Sequence, residues 1–242
     1  MKPFKAKFKR IETKYILTKA QLAALQADWQ HYVEANEYPT STIANLYYDT
    51  STYQLIRQSL EKPDYKEKLR VRSYQAQPTE QSEAFLEVKK KFQKVVYKRR
   101  MQATLAQTTE FLASGQSDFS DSQVKQEVEW FKRCYPDLQP AMYIYYDRFS
   151  MQGIEDKDLR LTVDSNLIYR HYDLDLTKGV YGKELLDRDC VILEIKASGA
   201  YPVWLAQLLA KHQIFKSSFS KYGKAYQLVK QEEDLQHVKF AV

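Results

Sequence analysis

Short stretches of this chain alternate strictly between charged and apolar residues, although the sequence itself contains no repeat. A period of two sends successive side chains to opposite faces of a strand, so each stretch predicts one with a wet face and a dry face. The first carries Phe8, Arg10, Glu12 and Lys14 on one side and Lys9, Ile11, Thr13 and Tyr15 on the other. Thr18 then caps an amphipathic helix expected to run to about Asn36. A second strand over 43–48 ends at Asp49, Thr50 and Ser51, and a short helix over 52–62 stops at Pro63. The two strongest strands follow: 65–74 sets Lys68, Arg70 and Arg72 against Leu69 and Val71, and 84–92 sets Glu87, Lys89 and Lys91 against Leu86 and Val88. Residues 94–101 are β-rich. Residues 103–135 read as helical, interrupted at Gly115 and the serine-rich run after it, and suggest an insertion or lid. Strands over 141–148, 158–167 and 190–196 and helices after Pro202 and Ser218 complete the chain.

These elements predict an α+β fold: an eight-stranded antiparallel β-barrel with peripheral helices, in a single domain over 1–242. Many connections are too short for parallel crossovers, hence the antiparallel expectation. The length, 242 residues, allows one domain with helical decorations. With 44% hydrophobic and 28% charged residues the many charges do not mean disorder. Thirty-seven Lys and Arg against 31 Asp and Glu give a formal charge of +6, which favours anionic partners without choosing among them. Cys134 and Cys190 have no metal-type or redox-type spacing and are expected as free thiols in a reducing compartment. Residues 1–10 are basic without the apolar stretch of a signal peptide, and no apolar run spans a bilayer, so the expected location is cytoplasmic.

Any sheet with one wet face alternates in this way. What separates these strands is that their polar positions are mostly Arg and Lys, joined by single carboxylates at Glu12, Glu87 and Glu194. Closed with the charges inward, such strands would repel one another unless a dense anion lay between them. A triphosphate or longer phosphate chain matches, taking paired hydrogen bonds from Arg and point charge from Lys, while the glutamates hold a divalent metal. None of the six glycines lies in a phosphate-loop pattern, so side chains must hold the phosphates. His31, His171, His212 and His237 lack metal-ligand spacing. Tyr47, Tyr48, Tyr145 and Tyr146 are open either to base stacking or to packing. The cluster Lys89, Lys90, Lys91, Lys94, Lys98, Arg99 and Arg100 is open either to nucleic acid or to a solvated strand edge.

In order along the chain stand Arg10-Ile-Glu12-Thr-Lys14-Tyr15, Leu46-Tyr-Tyr-Asp49, Lys68-Leu-Arg70-Val-Arg72, Leu86-Glu87-Val-Lys89, Val96-Tyr-Lys98-Arg99-Arg100, Tyr146-Asp-Arg148, Arg160-Leu-Thr-Val-Asp164, Leu193-Glu194-Ile-Lys196 and Ser220-Lys221-Tyr222. This set resembles the VTC (vacuolar transporter chaperone) polyphosphate polymerase domain of the triphosphate tunnel metalloenzyme superfamily. The resemblance implies a metal-dependent polymerase that moves the terminal phosphate of ATP onto polyphosphate inside an eight-stranded tunnel. It implies phosphate contacts from Lys14, Arg70, Arg72, Lys89, Lys98, Arg148, Arg160 and Lys221, with Glu12, Tyr146, Lys196 and Ser220 assisting. It implies Mn2+ or Mg2+ on Glu194, with Glu87 as the second candidate carboxylate. Arg10 stands where the wider superfamily has the first Glu of its opening strand, a variation that looks like the VTC branch and argues against a plain triphosphatase. The implied partners are ATP and polyphosphate, with no specific nucleic acid. The rival readings are a polyanion-binding module docking on a membrane-protein partner and a tunnel triphosphatase.

Overall fold

The computed structural model of the chain describes residues 11–93, 95–116 and 122–240. Phe8, Lys9 and Arg10 of the first expected strand, Lys94 of the basic cluster, the serine-rich run at 117–121 and the His237 side chain lie outside the described residues.

In chain order the elements are β1 (Ile11–Thr18), α1 (Lys19–Trp29), β2 (Val33–Asp49), α2 (Gln54–Leu60), β3 (Tyr65–Ser73), β4 (Glu83–Phe92), β5 (Val95–Thr104), α3 (Leu105–Ser114), α4 (Gln123–Cys134), β6 (Gln139–Gly153), β7 (Arg160–Arg170), β8 (Lys183–Glu184), β9 (Cys190–Ala197), α5 (Val203–Lys211), β10 (Lys216–Ser217) and α6 (Lys221–Phe240). The α+β class and the antiparallel pairing agree with the sequence pattern. The strand count does not: ten strands form one sheet in the order β10-β1-β9-β7-β6-β2-β3-β4-β5, with β8 on β7. The two additional strands are two residues long, too short to leave a periodicity. The order is linear, and its ends, β10 and β5, do not pair with each other among the described residues, so the expected closed barrel of eight strands is not seen in the pairing.

Thr18 caps α1 as expected. Its hydroxyl accepts from the Gln21 N–H at 3.1 Å, and the Gln21 side-chain oxygen accepts from the Thr18 N–H at 3.1 Å, a reciprocal capping box. The helix ends at Trp29 rather than Asn36. Leu25 and Trp29 are its buried positions, and the chain then turns so that Tyr32 O accepts from the Ile154 N–H at 2.9 Å and β2 begins. Long-range pairing therefore claims residues 33–36, whose local spacing also suits a helix.

The chain divides into two compact units. One comprises Met1–Ser41, Tyr146–Leu167 and Leu186–Phe219; the other comprises Thr42–Tyr145, Ile168–Leu185 and Ser220–Val242. In the first, the apolar faces of β1, β7 and β9 (Tyr15, Leu17, Leu161, Val163, Leu193 and Ile195) pack against Leu25 and Trp29 of α1 and Leu205 and Leu209 of α5. In the second, Leu46, Tyr48, Leu69, Val71, Leu86 and Val88 pack against Phe111 and Leu112 of α3 and Val128 and Phe131 of α4. The expected insertion or lid is thus a structural layer: α3 and α4 supply large apolar side chains that remove one sheet face from water. No helix among the described residues is long and apolar enough to cross a membrane.

Phe131 is fully buried while the adjacent Trp130 is 58% exposed. Phe131→Ala should cost about 4 kcal/mol of unfolding free energy in a urea titration. Trp130→Ala should change it by less than about 0.5 kcal/mol.

Candidate functional site

In the second unit the strand faces opposite α3 and α4 are charged. The register aligns Tyr47, Arg70, Glu87 and Arg100 in one row across β2 to β5, and Asn45, Arg72, Phe85 and Gln102 in the next. Glu87, 2% exposed, is gripped from three sides. Arg70 reaches one oxygen through Nε at 2.7 Å and Nη2 at 2.6 Å, Arg72 Nε lies 3.8 Å from the same oxygen, and Lys98 Nζ lies 2.8 Å from the other. Burial pushes the carboxyl up, but Arg70, Arg72 and Lys98 outweigh it and hold Glu87 at about 2. The guanidiniums are themselves anchored. Arg70 Nη1 donates to the Tyr47 hydroxyl at 2.9 Å, and Arg72 Nε donates to Asn45 Oδ1 at 2.9 Å. Asn45, fully buried, donates in turn to the Ile144 carbonyl at 2.9 Å. Burial raises the Tyr47 phenol, yet Arg70, Lys68 and Arg72 bring it down to about 8.

The start of α6 lies on this face. Ser220 Oγ accepts from Lys68 Nζ at 3.1 Å and from the Gly223 N–H at 3.2 Å, so one hydroxyl caps the helix and meets a strand lysine. At Gly223 a Cβ would lie 3.0 Å from Leu60 Cδ2 of α2, so α6 and α2 pack closely there. The Tyr222 ring stacks on Tyr47 at 4.7 Å between centroids, and its hydroxyl donates to Asp49 Oδ2 at 2.7 Å. Asp49 also accepts the N–H groups of Thr50, Leu55 and Ile56 at 2.8, 2.8 and 3.0 Å, tying α2 and α6 to the end of β2.

The first unit carries its own charged face on β1, β9 and β7. Glu12, Lys196 and Arg160 stand in one row and Lys14, Glu194 and Thr162 in the next. Glu194 lies 2.5 Å from Lys196 Nζ and 3.6 Å from Lys14 Nζ; Glu12 lies 3.6 Å from Lys14 and 4.0 Å from Lys196. Burial raises Glu194, but Lys14, Lys196 and Arg148 prevail and hold it at about 2. Arg148 makes a two-pronged pair with buried Asp164, Nε to Oδ1 at 2.6 Å and Nη2 to Oδ2 at 2.8 Å, and its guanidinium lies 5.3 Å from the Tyr146 ring. Arg160 is exposed, and the Thr162 hydroxyl is buried without a hydrogen-bond partner in the structure.

The expected site residues thus fall into two groups: Glu12, Lys14, Tyr146, Arg148, Arg160, Glu194 and Lys196 in the first unit, and Arg70, Arg72, Glu87, Lys89, Lys98, Ser220 and Lys221 in the second. Lys68 belongs with the second group and was legible in the same alternation as Arg70. Asn45 was missed, and Tyr47 and Tyr222 were named without their anchoring role, because a side chain that holds another residue in place leaves no periodic signal. Tyr47, Tyr48, Tyr145 and Tyr146 are all at most 8% exposed, so packing, not base stacking, accounts for them. Described members of the basic cluster turn to different partners. Lys90 and Arg99 turn to Glu127 of α4 at 3.2 and 2.6 Å, while Lys98 turns to Glu87 and Arg100 to the Phe85 ring. His212 meets Asp28 at 2.7 Å. Among the described residues no three His, Cys, Asp or Glu side chains gather as a metal cage. Glu12 and Glu194, linked through the same two lysines, fit a hard divalent ion that takes one or two carboxylates and completes its shell with water and phosphate oxygens. Glu87, the other carboxylate expected at a metal, pairs with Arg70, Arg72 and Lys98 as Glu194 pairs with Lys14 and Lys196.

Two outcomes follow from these environments. Glu87 drops from 4.5 to about 2, so its stabilising contribution is full above pH 4.5 and is lost as pH falls toward 2. In metal-free urea titrations the stability gap between wild type and Glu87→Gln should narrow by about 3 kcal/mol between pH 6 and pH 2. Near-ultraviolet phenolate absorbance should show one tyrosine titrating near pH 8, and Tyr47→Phe should abolish that step.

Residues 9–230 match the family model of the VTC domain. Among solved structures, a proposed adenylate cyclase from Bacillus halodurans superposes with a TM-score of 0.55 at 16% identity, covering 87% of this chain and 93% of that one. A proposed adenylyl cyclase from Hippeastrum with a dominant triphosphatase activity superposes with a TM-score of 0.54 at 15% identity, covering 90% and 95%. At such identities the likeness shows a shared fold. A comparison with curated proteins finds no match. With the family model spanning nearly the whole sequence, the chain belongs to the VTC domain family.

Proposed function

We propose that this protein is a metal-dependent polyphosphate polymerase that uses ATP. The observation that carries this reading is the cation-rich face around Glu87, in a chain whose VTC-domain match spans residues 9–230. Arg70, Arg72 and Lys98 are pre-positioned on a buried carboxylate, and an incoming phosphate group would exchange with part of that pairing at little cost in side-chain order. Lys68, Lys89, Ser220 and Lys221 bind further phosphate oxygens on the same face. On the first unit's face Lys14, Arg148, Arg160 and Lys196 are the candidate phosphate ligands, and Glu194 with Glu12 would hold Mn2+ or Mg2+. When bound, that ion neutralises charge on the transferred group.

In the reaction, an oxygen of the acceptor phosphate attacks the γ-phosphorus of ATP. The bond to the β,γ-bridging oxygen breaks, ADP leaves, and the chain grows by one phosphate. No side chain becomes covalently modified, so guanidinium and ammonium groups act by orientation and by stabilising equatorial charge.

Purified protein incubated with ATP and Mn2+, with ADP, free phosphate and polyphosphate resolved, tests the reading. Wild type should form polyphosphate with one ADP per phosphate added. Arg72→Ala and Glu194→Ala should each lose roughly a hundredfold in rate while remaining folded. ADP with only free phosphate would replace the polymerase by a triphosphatase, the activity described for the Hippeastrum protein. Tight triphosphate binding without turnover would leave a polyanion-binding module.

A further inference from the structure

The charged face of the second unit is not uniform along its strands. At one end, next to Arg72, Phe85 lies beneath the Arg100 guanidinium at 4.7 Å from its ring centroid, and Tyr74 meets Phe85 edge-on at 5.5 Å between centroids. Arg72 lies 6.0 Å from the Tyr74 ring. Tyr74 is 41% exposed and Arg100 is exposed, so a tyrosine ring and a guanidinium already backed by Phe85 are both presented to solvent. The middle row holds Arg70, Glu87 and Arg100, whose guanidinium reaches back over Phe85, and the rows toward the other end are lysines: Lys68, Lys89 and Lys98, then Lys66 and Lys91. The face therefore runs from flat π surfaces, through guanidiniums, to ammonium groups.

We infer that Tyr74 and the Arg100 guanidinium on Phe85 form a nucleobase-stacking subsite that fixes the direction of the bound nucleoside triphosphate along this face. This rests on the proposed triphosphate-binding reading and adds to it where the base lies and which way the phosphates point. Three features support the assignment. A planar base can stack on a tyrosine ring or on a guanidinium, and such contacts tolerate any base because every base has a π face. The Phe85 row is two residues from the Glu87 row, roughly 7 Å along a strand, a span that a ribose bridges. Guanidiniums, which match paired phosphate oxygens, lie nearest this end, and lysines, which act as point charges, lie where a phosphate chain would extend. The β- and γ-phosphates consequently point toward Lys68 and Lys89, and the base toward Tyr74.

The test compares ATP with inorganic tripolyphosphate by calorimetric titration at one fixed Mg2+ concentration, for wild type, Tyr74→Ala and Tyr74→Phe. Tyr74→Ala should weaken ATP about tenfold and leave tripolyphosphate within about twofold, while Tyr74→Phe, which keeps the ring, should retain ATP affinity. Unchanged ATP affinity in Tyr74→Ala would overturn the subsite and leave the phosphate reading standing. Equal weakening of both ligands would overturn it too, by placing the effect on the phosphate face. Failure of wild type to bind either ligand would overturn the phosphate reading, and the subsite with it.

Discussion

The buried Glu87 carboxylate is the interaction on which the second unit's charged face depends. Arg70, Arg72 and Lys98 converge within 3.8 Å of it, and without a central anion those cations would repel one another across neighbouring strands. A lone buried carboxylate would be as unfavourable as the cations, so each charge is tolerable only because of the others. The face also retains more positive charge than Glu87 neutralises. It can therefore persist without ligand and still favour a dense anion, a combination that a purely cationic lining could not provide.

The first unit solves the same problem with different partners. Glu194 and Glu12 share Lys14 and Lys196, and Asp164 takes the Arg148 fork. Both arrangements place carboxylates among cations on one side of a sheet whose other side is apolar. That division depends on the helices. Leu25, Trp29, Leu205 and Leu209 cover one apolar face, and Phe111, Leu112, Val128 and Phe131 cover another, so the strands under them keep one side for packing and leave the charged side open.

Side chains outside the alternation hold this chemistry in place. Asn45 joins Arg72 to the Ile144 carbonyl, Tyr47 joins Arg70 to the stacked Tyr222, and Asp49 gathers three backbone amides and the Tyr222 hydroxyl. Ser220, which caps α6 and receives Lys68, brings the last long element of the chain onto strands that begin some 150 residues earlier. A substitution at Asn45, Tyr47 or Asp49 would act through the orientation of Arg70 or Arg72.

Residue order alone shows that this chain alternates cations with apolar residues, which of those cations share a face within a strand, and which ordered motifs tie it to the VTC domain. These are properties of period two and of residue type, both local. Local spacing also located α2, the Thr18 cap and the paired strands β3 and β4. Long-range packing is what takes residues 33–36 out of a helical pattern into β2, makes α3 and α4 core, and turns Lys90 and Arg99 to Glu127 while Lys98 turns to Glu87. Likewise, only the fold buried Tyr47 and left Tyr74 exposed. Each of these outcomes turns on strand register and on which face a helix covers, both set by contacts between residues far apart in the chain.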